Sequence, residues 1–180
     1  MMPETFTTKD GRLVTVRPIH SDDAPRLVDL FHRLSDRSRQ LRFHTYAGKA
    51  GEEQVWKQAV ALSDLDPQRE AALVAVVDEE DEERIVGVAR FARARPEDVE
   101  AETAIVVRDD YQSGGLGTYL LWRLIPIAHD MGIKAFCAWV LTENMAIMRI
   151  VKNVGLPAKM TVRHGENYLV VPLVPNYESE

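Results

Sequence analysis

Apolar and polar residues change period several times along this chain, and each change marks an element. In Arg12 to Ile19, Leu13, Val14 and Val16 are apolar and Pro18 closes the run, which predicts a strand. Ser21-Asp22-Asp23 follows as an N-cap, with acids in a first turn where the helix dipole favours them. Leu27, Leu30, Phe31 and Leu34 then recur at helical spacing. Ser35 to Phe43 predicts a second, short helix, and Glu52 to Leu62 a third with Val55, Ala59 and Leu62 on one face. From Ala71 the period shortens. Ala71 to Val77 and Ile85 to Ala94 read as strands, joined by the acidic run 78–83 as a solvated hairpin loop. Arg95-Pro96-Glu97-Asp98 is a turn, and Val99 to Val107 another strand. Leu116 to Met131 predicts an amphipathic helix with Leu116, Leu120, Leu124, Ile127 and Met131 facing inward. Pro126 removes a hydrogen bond and is expected to kink it, and Gly132 reads as its C-cap. Lys134 to Leu141 is a strand, Glu143 to Val154 a helix closed by Gly155, and Ala158–Arg163 and Tyr168–Val174 are two more strands around the turn 164–167. Seven strands in hairpins and strand–helix–strand units, without repeat or linker, predict one mixed α/β sheet with helices on both faces.

Composition narrows what such a domain does. The 180 residues match one domain, set against a typical ~150. Lys and Arg number 22 and Asp and Glu 28, so the net charge is −6, and no Lys/Arg-rich run is present. That argues against a nucleic-acid partner and mildly favours a cationic one. A single cysteine, Cys137, excludes an internal disulfide framework. It lies mid-strand between Phe136 and Ala138 without a recognisable histidine partner, so a buried structural thiol is expected rather than a nucleophile. No Cys/His cluster has zinc spacing, and no metal is expected. No apolar run approaches the ~20 residues needed to span a membrane, and residues 1–20 lack the apolar core of a signal peptide. The expectation is a cytoplasmic protein with no membrane partner. Trp56, Trp122 and Trp139 fall at apolar-face positions or their edges and read as core or groove.

One stretch carries candidate chemistry. Residues 106–118, Val-Val-Arg-Asp-Asp-Tyr-Gln-Ser-Gly-Gly-Leu-Gly-Thr, run from strand through a turn into a helix. Residues without side chains let a ligand approach the main chain, and unpaired N–H groups at a helix start attract anions such as a diphosphate. There is no Gly-Lys-Ser/Thr for a Walker A loop. Gly115-Leu116-Gly117 is followed by Thr118, Tyr119 and Leu120, so the last glycine of a dinucleotide fingerprint is missing too. On these residues alone, a diphosphate site and a glycine turn with no ligand remain equally open.

Gln112-x-x-Gly115-x-Gly117 resembles the acetyl-CoA diphosphate signature of the GNAT acetyltransferases, Gln/Arg-x-x-Gly-x-Gly/Ala. Residues 140–148, Val-Leu-Thr-Glu-Asn-Met-Ala-Ile-Met, followed by Gly155-Leu156, resemble that superfamily's second signature. Segments 34–43, 62–75, 85–91 and 101–110 are similar to the Pat-type bacterial protein lysine acetyltransferases, so the resemblance spans roughly Arg12 to Val174. It implies a single GNAT domain over residues 1–180 (core about 12–174) with a mixed, mostly antiparallel sheet. It implies acetyl-CoA as co-substrate, with the Ile105, Val106 and Val107 backbone along the pantetheine arm. Main-chain N–H groups of Gln112, Ser113, Gly114, Gly115, Leu116, Gly117 and Thr118 would hold the diphosphate, and Asn144 would contact pantetheine amides. The implied acceptor is a lysine of a protein such as an AMP-forming acyl-CoA synthetase.

Amine acetylation needs a base. A lysine ammonium has a pKa of about 10.4, so forming the free amine at pH 7 costs roughly 4–5 kcal/mol. Strand alternation puts Glu100, Glu102, Ala104 and Val106 on one face, and Glu102 lies closer to the apolar pair. By pattern alone, either glutamate reads as an exposed strand carboxylate. The Pat-type resemblance makes Glu102 the general base, because it is the glutamate of Ala-Glu-x-Ala on this strand. Two positions depart from relatives. Gly114 stands where many carry a basic residue, and Ile147 and Met148 stand where many carry a tyrosine acid, so no general acid is assigned. His44 and Tyr46 follow Arg42-Phe43 and are substrate-side candidates. Two other functions compete: acetylation of a small amine, and a non-catalytic acyl-CoA sensor. Because the resemblance takes up nearly the whole chain, a stand-alone catalytic module is expected.

Overall fold

The computed structural model describes residues 2–43, 51–141, 143–163, 166–175 and 177. His44, Tyr46, Thr142, His164 and Gly165 lie outside the described residues. Alternating runs form β1 (Glu4–Thr7), β2 (Leu13–Pro18), β3 (Glu70–Glu79), β4 (Glu82–Ala92), β5 (Glu100–Val107), β6 (Ala135–Val140), β7 (Lys159–Arg163) and β8 (Glu166–Pro172). Helical runs form α1 (Ala24–Arg33), α2 (Asp36–Phe43), α3 (Glu52–Ser63), α4 (Leu116–Asp130) and α5 (Met145–Val154). The eight strands make one sheet in the order β1-β2-β3-β4-β5-β6-β8-β7. Every neighbouring pair is antiparallel except β5 and β6. This is the mixed, mostly antiparallel sheet that the sequence implied.

Alternation in the central strands fills two cores. Leu73 and Ala75 of β3 pack with Leu116, Leu120, Leu121 and Leu124 of α4 and with Val151 of α5. Ala72, Val74 and Val76 pack on the opposite face with Leu27 and Leu30 of α1 and Ala59 of α3. Those four leucines of α4 are at most 2% exposed, and burying each contributes about 1.5–3 kcal/mol. Such burial outweighs the hydrogen bond lost at Pro126, and α4 continues on both sides of it to Asp130.

Three features differ from the pattern. β1 is an eighth strand, antiparallel to β2, whose apolar Phe6 stacks on Tyr119 with ring centroids 4.4 Å apart. The acidic run is mostly strand: β3 and β4 extend to Glu79 and Glu82 around a two-residue turn with φ 56° at Glu80 and 63° at Asp81. Arginines make this possible by neutralising the run. Glu79 receives Arg108 at 2.5 Å, Glu82 receives Arg84 at 3.0 Å and Glu83 receives Arg17 at 2.7 Å. Finally, Trp56 and Trp122 are exposed rather than core.

Candidate active site

The site begins where β5 and β6 part. Their parallel pairing runs Glu100↔Ala135, Ala101↔Phe136, Glu102↔Cys137 and stops there, although β5 continues to Val107 and β6 to Val140. On its other edge β5 stays paired with β4 from Glu102 to Val107. Val99 turns its carbonyl toward Lys134 ahead of β6, at 2.7 Å, while Arg108 donates its N–H to Val86 O of β4, at 2.8 Å. Strand alternation therefore aims the peptide groups of Ile105 and Val107 into the gap, an open edge suited to an extended amide chain. Val106, expected to share this backbone role, directs its peptide groups to β4 and offers only its side chain.

At the far end of β5, main chain takes over. Gln112 donates from Nε2 to Val107 O at 2.9 Å and to Ser38 Oγ at 3.1 Å, which closes the strand end. Positive φ at Ser113 (64°) and Gly115 (90°) turns successive N–H groups to one side, the geometry of an anion-binding nest. Tyr119 N to Gly115 O, 3.0 Å, is the first helical bond of α4, and the N–H groups of Ser113 to Thr118 have no partner among the described residues. Gly117 allows this approach: a Cβ there would lie 2.8 Å from Ile150 Cδ1 of α5. Asp109 ties α2 to the same loop, accepting from Ser35 N (2.9 Å), Ser35 Oγ (2.6 Å) and Ser38 Oγ (2.8 Å). Burial opposes ionisation of Asp109, but these hydrogen bonds prevail and hold its pKa below the ordinary value.

The two glutamates of β5 differ. Tyr177 donates its hydroxyl to Glu100 at 2.7 Å. Glu102 is exposed to the cleft and makes no hydrogen bond or ion pair among the described residues. Arg42 of α2 lies within electrostatic reach of it: burial and then Arg90 push the Arg42 guanidinium below its ordinary pKa, while Glu102 pulls it back. Cys137, opposite Glu102, is buried, and burial pushes its thiol pKa up, so it is no nucleophile at neutral pH.

The gap and the loop form one cleft of about 760 Å³. Glu102, Ile105, Val106, Val107, Gln112, Ser113, Gly115, Gly117, Thr118 and Asn144 all line it. Gly114 and Leu116 do not. Gly114 is buried against Thr8, and Leu116 is a core residue at 1% exposure, so only its N–H belongs to the loop. Asn144 caps α5, accepting from Ile147 N at 3.4 Å, which leaves its Nδ2 end for a ligand. Trp139, expected as core or groove, lines the cleft, as do Lys9, Arg37, Arg42 and Arg149, which sequence spacing could not gather because they come from the β1–β2 hairpin, α2 and α5. Four cations among these residues face Glu102 and Asp109, so a chain of net charge −6 encloses a positively charged cleft.

Comparison with known proteins places this geometry. Residues 13–157 match the sequence profile of the acetyltransferase (GNAT) domain. The chain belongs to the GNAT acetyltransferase family. An acetyltransferase of Pseudomonas aeruginosa is 37% identical over 140 residues, 77% of this chain and 72% of that protein. Acetyltransferase Pat of Mycolicibacterium smegmatis is 41% identical over 71 residues, 39% of this chain but only 21% of that protein. Among solved structures, the GNAT domain of Streptomyces lividans PAT superposes with a TM-score of 0.81 at 26% identity, over 94% of this chain and 96% of that one. As a GNAT acetyltransferase the chain uses acetyl-CoA as its co-substrate. Among the described residues, no group of three or more His, Cys, Asp or Glu is placed to hold a metal ion.

Proposed function

We propose that this GNAT enzyme acetylates lysine side chains of a protein acceptor, with AMP-forming acyl-CoA synthetases as the acceptor class that the sequence resemblance to Pat-type enzymes implies. The observation that carries the mechanism is an unpartnered carboxylate, Glu102, at the point where β5 and β6 separate. Acetyl-CoA supplies an activated thioester. The open peptide groups of Ile105 and the N–H of Val107 hold an amide-bearing arm, and the free N–H groups of Ser113 to Thr118 hold a diphosphate. Glu102 takes the proton of the incoming lysine ammonium in the cleft that it lines with Ala104 and Val106. The free amine attacks the acetyl carbonyl directly, the C–N bond forms, the C–S bond breaks, and coenzyme A leaves as a thiolate that takes up the second proton shed by the attacking nitrogen. No acyl-enzyme forms, and the buried Cys137 takes no part. Tyr111, the tyrosine lining the cleft among the described residues, turns its hydroxyl to Glu79 at 3.4 Å and so is not the acid for the thiolate.

Arg42 and Arg90 near Glu102 favour a second reading, in which the acceptor is a small amine carrying a carboxylate. Incubation with acetyl-CoA and purified acyl-CoA synthetases, polyamines or amino acids separates the readings, with thiol release and acetylated sites as readouts. The proposal expects acetyl groups on synthetase lysines. Acetylation of small amines alone overturns it, and binding of acetyl-CoA with no thiol release for any acceptor leaves a sensor.

A further inference from the structure

We propose that Lys9, at the tip of the β1–β2 hairpin, grips the diphosphate of the acyl-CoA and replaces the basic side chain that Gly114 lacks. The proposal rests on reading Ser113–Thr118 as the diphosphate loop. A diphosphate carries more charge than loop amides alone neutralise, so a nearby cation strengthens binding. Position 114 is a crowded place for that cation here. A Cβ on Gly114 would lie 3.2 Å from Thr8 Cβ, and Thr8 is 3% exposed and pinned by its N–H to Arg12 O at 2.9 Å. The residue after Thr8 occupies the same corner. Lys9 donates its N–H to Gly114 O at 3.0 Å, and its Cε lies 3.8 Å from the Cβ position of Gly115. Its side chain lines the cleft together with Gln112, Ser113, Gly115 and Thr118.

Lys9 is also uncommitted. It is exposed and makes no ion pair among the described residues. The neighbouring carboxylate, Asp10, is occupied by Arg12 Nη2 at 2.6 Å and by the Thr8 hydroxyl. The hairpin that carries Lys9 is bound to the loop and to α4 at several points. Arg12 Nη2 donates to Asp110 O at 2.6 Å and its guanidinium lies 3.8 Å from the Tyr111 ring centroid. Phe6 stacks on Tyr119, and Glu4 accepts from the Tyr119 hydroxyl at 3.0 Å and pairs with Arg123. Fixing the backbone this way leaves only side-chain rotamers to order when an anion binds.

The test is calorimetric titration of the full chain and of Lys9→Ala and Lys9→Arg with coenzyme A and with dephospho-coenzyme A, alongside thermal midpoints. Lys9→Ala is expected to weaken both ligands by the same factor, roughly tenfold for one solvated charge contact. Lys9→Arg keeps most of the affinity, and neither variant shifts the midpoint by more than a degree or two. Unchanged affinity in Lys9→Ala overturns the proposal. So does a loss confined to coenzyme A, which assigns Lys9 to the 3′-phosphate, or a loss that follows a lowered midpoint and that arginine does not restore. A wild-type protein that binds neither ligand instead defeats the acyl-CoA reading, and the Lys9 assignment falls with it.

Discussion

At one end of the cleft the protein offers main chain, the free N–H groups of Ser113 to Thr118, while at the other it offers side chains, Glu102 from β5 and Arg42 from α2. The main-chain end depends on close packing. Its shape is set by the left-handed Gly115 and by the contact of Gly117 with Ile150, so it responds to added bulk rather than to lost chemistry. The side-chain end depends on single groups held by different elements, so it responds to loss of one functional atom. Binding and turnover should therefore fail separately.

The largest effect is expected at Glu102. Glu102→Gln should lower turnover by ~10²–10⁴-fold at saturating substrates, with acetyl-CoA affinity nearly unchanged, measured by thiol release and by titration. A parallel loss of affinity would erase the contrast between the two ends. Next comes Gly117→Val, whose side chain must displace Ile150. It should destabilise the fold by about 1–3 kcal/mol in denaturant melts and weaken acetyl-CoA, with partial recovery in the Gly117→Val, Ile150→Ala pair.

Asp109→Asn tests the tie between α2 and the loop, at about 0.5–1.5 kcal/mol for its hydrogen bonds. Because the folded-state pKa of Asp109 lies below its ordinary 3.8, its ionised form stabilises the fold above that value. The contribution is lost as pH falls from 3.8 through the folded-state pKa. Wild type and Asp109→Asn should therefore differ in denaturant midpoint at pH 7 and converge toward pH 2. The smallest effect is expected at Glu100, already engaged by Tyr177: Glu100→Gln should change turnover less than about threefold, against the ~10²–10⁴ of its neighbour.

The same division explains what the sequence disclosed. Gln112-x-x-Gly115-x-Gly117 was legible because a left-handed turn and a close helix approach depend on the local residue type alone. Asn144 entered through the resemblance alone: the residue pattern began the helix at Glu143, whereas Asn144 caps a helix that starts at Met145. Alternation along β5 separated the faces correctly but could not rank Glu100 against Glu102. The difference is Tyr177, far along the chain. Arg42 and Lys9 were illegible as site residues because topology, not spacing, brings them to the cleft. In Glu4–Thr7 only Phe6 is apolar, so periodicity predicts no strand there, although Asp10-Gly11 is a recognised hairpin signal. The acidic run looked like a loop because its arginine partners, Arg17 and Arg108 among them, lie elsewhere in the sequence.

The most direct test of the account is a crystal structure with acetyl-CoA bound. It predicts the pantetheine amides hydrogen-bonded to the peptide groups of Ile105 and the N–H of Val107, the diphosphate on the N–H groups of Ser113 to Thr118, and the thioester carbonyl facing the Glu102 side of the gap. A thioester lying away from the point where β5 and β6 separate would contradict it.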